Sequence, residues 1–249
     1  MTRFSVSLDK AAGRTGRGVA IAVVDSGIHA SHPHVGGISG EAAFDDEGRM
    51  AGDVADRLGH GTAVAAAIRE KAPEATLLSV KVFHDRLATT GRALVEAIDW
   101  AIAQPVSLVN LSLGTTNAKH ADAFAAVIAR AAKCGVVLIA AAPDADNAWL
   151  PGGLAGVVSV EVDWSCPRDR CHVSVDAEGR VRLAASGWPR PIPGIEPERN
   201  FRGPSFAVAN ATGLLALAIE GCAVRTLQDV VAHLATLRDP AGLKPGGYD

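Results

Sequence analysis

Short apolar runs rich in Val, Ile and Leu alternate along this chain with alanine-rich segments of helical period. Runs of this kind are typical of strands that are buried on both faces of a parallel sheet. Parallel strands need crossover connections, and the intervening segments can supply them as helices. The alternation therefore predicts an α/β protein, with a mostly parallel central sheet between two layers of helices in a three-layer α/β/α fold.

The predicted elements can be placed on the sequence. The strands are expected at residues 19–24, 76–82, 108–111, 136–141 and 157–160. The helices are expected at residues 60–69, 90–103, 120–134, 205–220 and 226–237. Residues 165–202 hold hairpin-like pieces followed by a proline-rich stretch, so we expect them to form a surface excursion from the sheet.

Length and charge limit the domain organisation and the partners. The chain has 249 residues, 48% of them apolar, which predicts one domain over residues 1–249. The net charge is −3 and the charged residues are dispersed, so neither a nucleic acid nor a membrane surface is an expected partner. No signal-peptide core and no run long enough to span a bilayer is found in the sequence, which predicts a cytoplasmic protein.

An aspartate follows the first predicted strand, in the motif GVAIAVVDSGI. The turn Ser26-Gly27 would leave the carboxylate of Asp25 at the carboxyl edge of the sheet, where open α/β sheets bind their ligands. An aspartate at a strand end is more often a turn or helix cap. This motif alone therefore does not decide between a structural and a chemical role.

A histidine begins the first predicted helix, in the motif LGHGTAVAAAI. Its two glycine neighbours leave one side of the His60 imidazole uncovered, as a general base requires. A lone histidine of this kind is more often structural. Its interpretation depends on the other motifs.

A serine begins the long apolar helix in FRGPSFAVANATG. Ser205 would either cap this helix or present its hydroxyl beside free backbone N–H groups. Those donors and the helix dipole would stabilise a developing oxyanion. Both interpretations of Ser205 fit the sequence.

Together, DSGI, GHGT and GPSFA resemble the three signature blocks of the subtilisin-like serine peptidases (S8-type), in the order Asp, His, Ser. The stretch between the blocks is similar to the family too, and the resemblance covers about residues 18–220. It implies a subtilisin-like serine endopeptidase with the catalytic triad Asp25, His60 and Ser205, which works through an acyl-enzyme and needs no cofactor. No propeptide is expected, because the first predicted strand begins close to residue 18.

The resemblance also implies two substrate-binding segments. One would pair with a peptide or protein substrate bound as an extended strand, and the other would wall the pocket for the residue before the scissile bond. The peptide-pairing segment is Ser112, Leu113 and Gly114. The pocket wall is Ala140, Ala141 and Ala142.

The sequence departs from the family at the oxyanion hole. The family places an asparagine after the pocket wall, where this chain has Asp144 in AAPD. Losing that asparagine costs subtilisin about 10²–10³ in turnover, and a carboxylate would repel the oxyanion. Asp144 could donate if it were protonated, or Asn147 could reach in instead. Pro204 replaces the usual threonine and removes a further N–H donor.

These departures leave two functions open. The first is an endopeptidase of narrow specificity that processes a dedicated peptide or precursor. The second is a catalytically weak or inactive pseudopeptidase that binds peptides or acts as a scaffold. A third hypothesis, an acyl transferase or macrocyclase that uses the same triad, is less favoured. The sequence does not reveal a partner subunit.

Cysteines and histidines outside the proposed triad are candidate metal ligands. Cys166 and Cys171 are separated by four residues, and could form a disulfide or, with His172, half of a metal site. Buried, isolated thiols are the simpler expectation for all four cysteines. The histidines that follow DSGI are not expected to bind metal, and no metal site was assigned.

Overall fold

The computed structural model describes residues 2–224 and 226–239, which form one sheet of eleven strands with helices on both faces. In chain order the strands are β1 (Thr2–Ser7), β2 (Ala20–Asp25), β3 (Gly40–Phe44), β4 (Met50–Ala51), β5 (Thr76–Lys81), β6 (Leu108–Leu111), β7 (Val137–Ala141), β8 (Val157–Val162), β9 (Arg170–Val175), β10 (Val181–Ala185) and β11 (Arg238–Asp239). Across the sheet their order is β11-β1-β9-β10-β8-β7-β6-β2-β5-β3-β4.

The strands from β10 to β3 in this order run parallel, and the strands at both edges are antiparallel. β2 lies at the centre, between β5 and β6, with Val24 paired to Leu111. Because parallel strands end at the same edge, the residues that follow β2 and β6 lie side by side there. Asp25 is the last residue of β2, and the predicted peptide-pairing segment, residues 112–114, follows β6.

Five helices cover the sheet in the described part of the chain. They are α1 (His60–Lys71), α2 (Gly91–Ile102), α3 (Ala121–Lys133), α4 (Pro204–Ala218) and α5 (Leu227–Ala235). Buried side chains of α1, α4 and α5 share one core with one face of the sheet, and those of α2 and α3 share a second core with the other face. The predicted three-layer α/β/α fold with a mostly parallel sheet is confirmed.

The five strands and five helices placed on the sequence are all present, within a few residues of their expected ends. Two expectations were wrong. The first strand is β1, which begins at Thr2 rather than near residue 18. Residues 170–185 are not a surface excursion, because β9 and β10 are part of the main sheet and bury Val173 and Leu183 in its core.

The helix α4 runs through the interior. Every residue from Phe206 to Ala218 is buried, which explains why its sequence has no polar face. Its amino-terminal end points to the carboxyl edge of the sheet, where the site residues lie. None of the helices in the described ranges is both long and apolar enough to cross a membrane.

Candidate active site

Asp25 and His60 form a buried hydrogen-bonded pair at the carboxyl end of β2. The Nδ1 atom of His60 lies 2.8 Å from Oδ1 of Asp25, and the two side chains are 7% and 1% exposed. The N–H of Ser26 donates to the same Oδ1 at 2.7 Å. With Nδ1 engaged as the donor, Nε2 is left to act as a base. Within the described residues, Oδ2 of Asp25 has no hydrogen-bond partner.

The pKa of His60 is raised above its ordinary value by this pair. Burial, the largest single influence, lowers the pKa, but the hydrogen bond to Asp25 and the charges of Asp25 and Asp56 together outweigh it. The protein therefore stabilises the imidazolium, the form that a general base reaches when it accepts a proton.

A glycine allows α1 to approach β2 closely enough for this pair. A methyl group placed on Gly61 would lie 2.2 Å from the carbonyl oxygen of Gly27 and 3.1 Å from Cβ of Asp25. No side chain fits there, so the glycine after His60 is required by packing. The sequence motif GHGT is thus partly explained by this close contact between α1 and the turn after β2.

The carboxylate of Asp56, which sequence reasoning missed, fixes the start of α1. It accepts hydrogen bonds from Oγ1 of Thr62 at 2.6 Å, Oγ of Ser26 at 2.8 Å and the N–H of Gly59 at 2.8 Å. Oγ of Ser26 in turn accepts from the N–H of Gly61 at 2.9 Å. An acidic residue shortly before a helix is a recognisable capping signal.

Ser205 is the second residue of α4, directly after Pro204. Its hydroxyl donates to the carbonyl oxygen of Ser112 at 3.0 Å. Among the described residues no hydrogen bond joins Ser205 to His60. The next residue, Phe206, has its ring centroid 5.6 Å from that of His60, so the serine and the imidazole lie in the same region of the structure.

Two phenylalanines surround the imidazole. The ring of Phe201 meets that of His60 edge-on at 5.7 Å and stacks on Phe206 at 6.3 Å. Phe206 is buried, whereas Phe201 is 42% exposed. The aromatic pair reduces the contact of His60 with water, which agrees with its burial and strengthens its interaction with Asp25.

A buried polar network connects β6 to α4 behind the serine. Nδ2 of Asn110 donates to Oγ of Ser112 at 2.8 Å, and Oγ1 of Thr212 donates to Oδ1 of Asn110 at 3.0 Å. Oγ of Ser112 donates to the carbonyl oxygen of Ser205 at 3.3 Å. The network was not predicted, and it fixes the segment after β6 relative to the first turn of α4.

The predicted peptide-pairing segment, residues 112–114, follows β6 directly. Its far end is closed by a pair of hydrogen bonds between Thr115 and Leu150, of 2.9 and 2.8 Å. A methyl group on Gly114 would lie 2.8 Å from the carbonyl oxygen of Leu150 and 3.4 Å from Cε3 of Trp149. The indole of Trp149 therefore packs on Gly114.

The predicted pocket wall lies at the end of β7. Ala140 and Ala142 are buried and Ala141 is partly exposed, and the N–H of Ala142 donates to the carbonyl oxygen of Val160 at 2.8 Å. A methyl group on Gly152 would lie 1.8 Å from the carbonyl oxygen of Ala141. The main chain at Gly152 thus packs directly on the wall, with no room for a side chain at that position.

The loop after the wall is organised around Asp144. The exposed carboxylate accepts from the N–H of Asp146 at 2.9 Å, from Nδ2 of Asn147 at 2.9 Å and from Nε1 of Trp149 at 3.1 Å. The indole bond and the other two donors lower the pKa of Asp144, so it is ionised at neutral pH. The suggested protonated, desolvated Asp144 does not fit this geometry. Asn147 is likewise engaged with Asp144.

Comparison with known proteins places this arrangement in a family. The family model of the subtilases matches residues 16–246, which is most of the chain. The chain belongs to the subtilase family.

Two curated relatives and one solved structure illustrate the similarity. The minor extracellular protease Epr of Bacillus subtilis (strain 168) is 33% identical over 161 residues, which are 60% of this subtilase and 24% of that protein. Subtilisin E of the same strain is 26% identical over 227 residues, 86% of this chain and 57% of that protein. This subtilase thus spans less than two thirds of either relative's length.

The solved structure of the prenylagaramide maturation protease PagA matches with a TM-score of 0.63 and 25% identity. The match covers 86% of this subtilase and 79% of that chain. The similarity therefore extends over most of both chains.

Few backbone N–H groups are free at the start of α4, where the sequence predicts the oxyanion hole. Pro204 has no N–H, and the N–H of Ser205 has no hydrogen-bond partner in the ranges that the structure describes. That N–H lies at the positive end of the α4 dipole, where it can stabilise an anion. Asp144, which the sequence predicts at the position of the family's asparagine donor, is ionised.

The cysteines of this subtilase are all free thiols. Cys166 and Cys171 are buried, but Cys134 and Cys222 are exposed, so burial of all four was a wrong expectation. Close to Cys166 lie Asp163 and His172, and these three form the metal-ligand cluster found among the described residues.

Proposed function

We propose that this subtilase is a serine endopeptidase with Asp25, His60 and Ser205 as its catalytic triad. The observation that carries the proposal is the buried Asp25–His60 pair, which orients the imidazole and raises its pKa. The side chain of His60 is only 7% exposed, and it is paired with a carboxylate near the partly exposed Ser205. A purely structural histidine does not require this arrangement.

The reaction begins with a rotation of the nucleophile. In the structure the Ser205 hydroxyl donates to the carbonyl oxygen of Ser112, so it must turn about χ1 to donate to Nε2 of His60. His60 then takes the hydroxyl proton as Oγ of Ser205 attacks the scissile carbonyl carbon. The Asp25 carboxylate stabilises the imidazolium that forms.

The tetrahedral intermediate collapses when His60 gives its proton to the leaving amine. The C–N bond breaks and the acyl group stays on Oγ of Ser205. Water, deprotonated by the same imidazole, then hydrolyses the ester and restores the serine. No step requires a cofactor.

The oxyanion is stabilised by the Ser205 N–H and the dipole of α4, without a side-chain amide at the position of Asp144. A missing donor of this kind costs about 10²–10³ in turnover. We therefore propose a slow peptidase, whose substrate must be bound well enough to compensate.

Specificity is proposed to depend on Trp149. Its six-membered ring packs on Gly114, and its Nε1 donates to Asp144 at 3.1 Å, so the indole reaches from the peptide-pairing segment to the loop that follows the pocket wall. An indole held at both ends leaves little depth between the two segments. We infer that the residue before the scissile bond has a small side chain.

A shallow pocket and a weak oxyanion hole favour one dedicated peptide or precursor over general digestion. The solved structure of a maturation protease, PagA, among the matches supports this inference. The substrate would bind as an extended strand along residues 112–114.

We also propose that the chain forms one domain, because both cores pack on the same sheet.

The second candidate is a peptide-binding pseudopeptidase. It is favoured by two observations: the Ser205 hydroxyl is bonded to Ser112 rather than His60, and Asp144 is ionised. This protein would bind an extended peptide and release it uncut.

Peptide cleavage separates the two functions and tests the pocket. A peptide library that varies the residue before the scissile bond is incubated with the wild type and with Trp149→Ala, and the products are sequenced by mass. The wild type should cut after small residues, and Trp149→Ala should raise the preference for Phe over Ala about tenfold or more. Trp164→Ala, at a tryptophan that is 52% exposed, is the matched control and should change nothing.

Two results would count against the proposal. Binding of peptides with no cleavage, by folded wild-type protein at any pH, would favour the pseudopeptidase. Cleavage after large residues by the wild type would leave the triad in place but reject the role given to Trp149.

A further inference from the structure

Three side chains of different chemistry converge where the chain leaves β8. Asp163 directly follows β8, Cys166 lies in the turn, and His172 lies in β9. One ligand atom from each lies within 4.8 Å of the other two, and Nε2 of His172 is 3.9 Å from Oδ2 of Asp163. The triad uses none of these residues.

The three groups are held in place by bonds that leave their free atoms facing one another. Oγ of Ser5, in β1, is 2.7 Å from Nδ1 of His172, which leaves Nε2 for the cluster. Oδ1 of Asp163 accepts from Oγ of Ser165 at 2.6 Å and from the N–H of Cys166 at 3.1 Å, which leaves Oδ2. Outer hydrogen bonds of this kind orient metal ligands in proteins.

The ligand atoms are those that zinc prefers. A thiolate, an imidazole nitrogen and a carboxylate oxygen suit zinc, whereas calcium and magnesium take oxygen ligands alone. The charges of a thiolate and a carboxylate together cancel that of a divalent ion. This matters because Cys166 is 4% exposed and the Asp163 side chain 14% exposed, so an uncompensated charge would be costly.

The thiol of Cys166 makes only weak hydrogen bonds, to the carbonyl oxygens of Arg170 at 3.4 Å and Pro167 at 3.6 Å. Burial, followed by the charge of Asp163, raises its pKa to about 12, so an ion would have to displace the proton as it binds. The other buried cysteine, Cys171, precedes His172 in β9 and packs in the core on the opposite face of that strand. Both thiols are free.

We propose that Asp163, Cys166 and His172 bind one zinc ion, which fastens the turn after β8 to β9 and, through Ser5, to β1. The side chain of His172 is 34% exposed, so water can complete a tetrahedral set on that side. The site is independent of the proposed peptidase reaction. It would stabilise the edge of the sheet opposite to β3 and β4.

Cobalt(II) titration of the full chain, kept reduced with a phosphine, tests the proposal. We expect one equivalent to bind with a thiolate-to-cobalt charge-transfer band and the visible bands of tetrahedral cobalt, all removed by one equivalent of zinc. Cys166→Ala should lose the charge-transfer band and bind zinc at least about 100-fold more weakly. Ser5→Ala should keep the band with about 10- to 100-fold weaker binding.

Cys222→Ser is the matched control, because Cys222 is an exposed thiol away from the cluster. It should bind like the wild type. Circular dichroism of each variant verifies folding, and Cys166→Ser replaces Cys166→Ala if the latter does not fold.

Three results would overturn the proposal. They are a charge-transfer band that persists in Cys166→Ala, a band that disappears in Cys222→Ser, and folded, reduced wild type that binds no cobalt at one equivalent. Peptide cleavage is measured separately, so these failures would not bear on the peptidase.

Discussion

Replacing Asp25 by Asn removes the carboxylate charge beside His60 and keeps the shape of the side chain. The amide oxygen can take the place of Oδ1, where it accepts from the N–H of Ser26 and from Nδ1 of His60. In the reverse orientation, the NH2 group of the new amide would point at the N–H of Ser26, so two donors would face each other. The first orientation keeps one more hydrogen bond, which is worth about 0.5–1.5 kcal/mol.

His60 should therefore keep its proton on Nδ1 in Asp25→Asn. The loss of activity should come from the missing carboxylate charge. Breaking a buried ion pair by removing one partner costs about 3–5 kcal/mol. The imidazolium forms as the serine attacks, so this cost falls on the transition state. At about 1.4 kcal/mol for each factor of ten, kcat/KM should fall by roughly two to four powers of ten.

The pH profile gives a second, independent readout. In the wild type Asp25 raises the pKa of His60 above 6.5 against the effect of burial. Without the carboxylate, burial dominates and the pKa of His60 should fall. The reaction needs neutral His60, so the rate rises with pH through this pKa, and the midpoint of the rise should move to lower pH in the variant.

The assay is the rate of serine modification or peptide cleavage from pH 5 to pH 10, with Asp99→Asn as the control. Asp99 is paired with Arg130 on the surface, so its loss should change neither the rate nor the midpoint. A loss smaller than about fivefold in Asp25→Asn, or a midpoint that moves to higher pH, would refute the reasoning.

Three further predictions concern residues around the proposed triad. Gly61→Ala places a methyl group 2.2 Å from the carbonyl oxygen of Gly27, so it should lower the free energy of unfolding by about 1–3 kcal/mol and cleavage by over tenfold. An unchanged midpoint in urea would contradict this. Asp56→Ala leaves the donors at the start of α1 unpaired and should cost about 2–3 kcal/mol in the same assay; a loss under 0.5 kcal/mol would reject its capping role. Asp144→Asn removes an anion from the oxyanion-donor position and should speed serine labelling about tenfold, short of the ~10²–10³ of a well-placed donor. A slower rate would show that its loop bonds matter more than its charge.

The sequence predicted the centre of the fold well, because buried parallel strands such as residues 19–24 and 108–111 have continuous apolar patterns. It predicted the edges poorly. β9 alternates in burial, whereas β1 is buried from Phe4 to Ser7, and the two strands pair with each other, which no local pattern reveals. The predicted surface excursion at residues 165–202 therefore includes β9 and β10, which extend the sheet.

The candidate site was likewise predicted where it depends on local motifs and missed where it depends on distant contacts. The motifs around Asp25 and His60 indicated the pair that the structure contains, since each motif is a turn with its own signature. The Asn110–Thr212 bond joins residues 102 positions apart, and the Asp144–Trp149 bond depends on how one loop folds. Such contacts depend on the tertiary arrangement and could not be inferred from spacing.

Labelling with a fluorophosphonate probe tests the central claim most directly, because it reports an activated serine without needing the substrate. The account predicts one adduct, mapped to Ser205, that forms faster as the pH rises and is absent in Ser205→Ala. Ser79→Ala, which removes a buried hydroxyl with no hydrogen-bond partner among the described residues, should label like the wild type. No adduct on folded wild type at any pH, or an adduct that persists in Ser205→Ala, would contradict it.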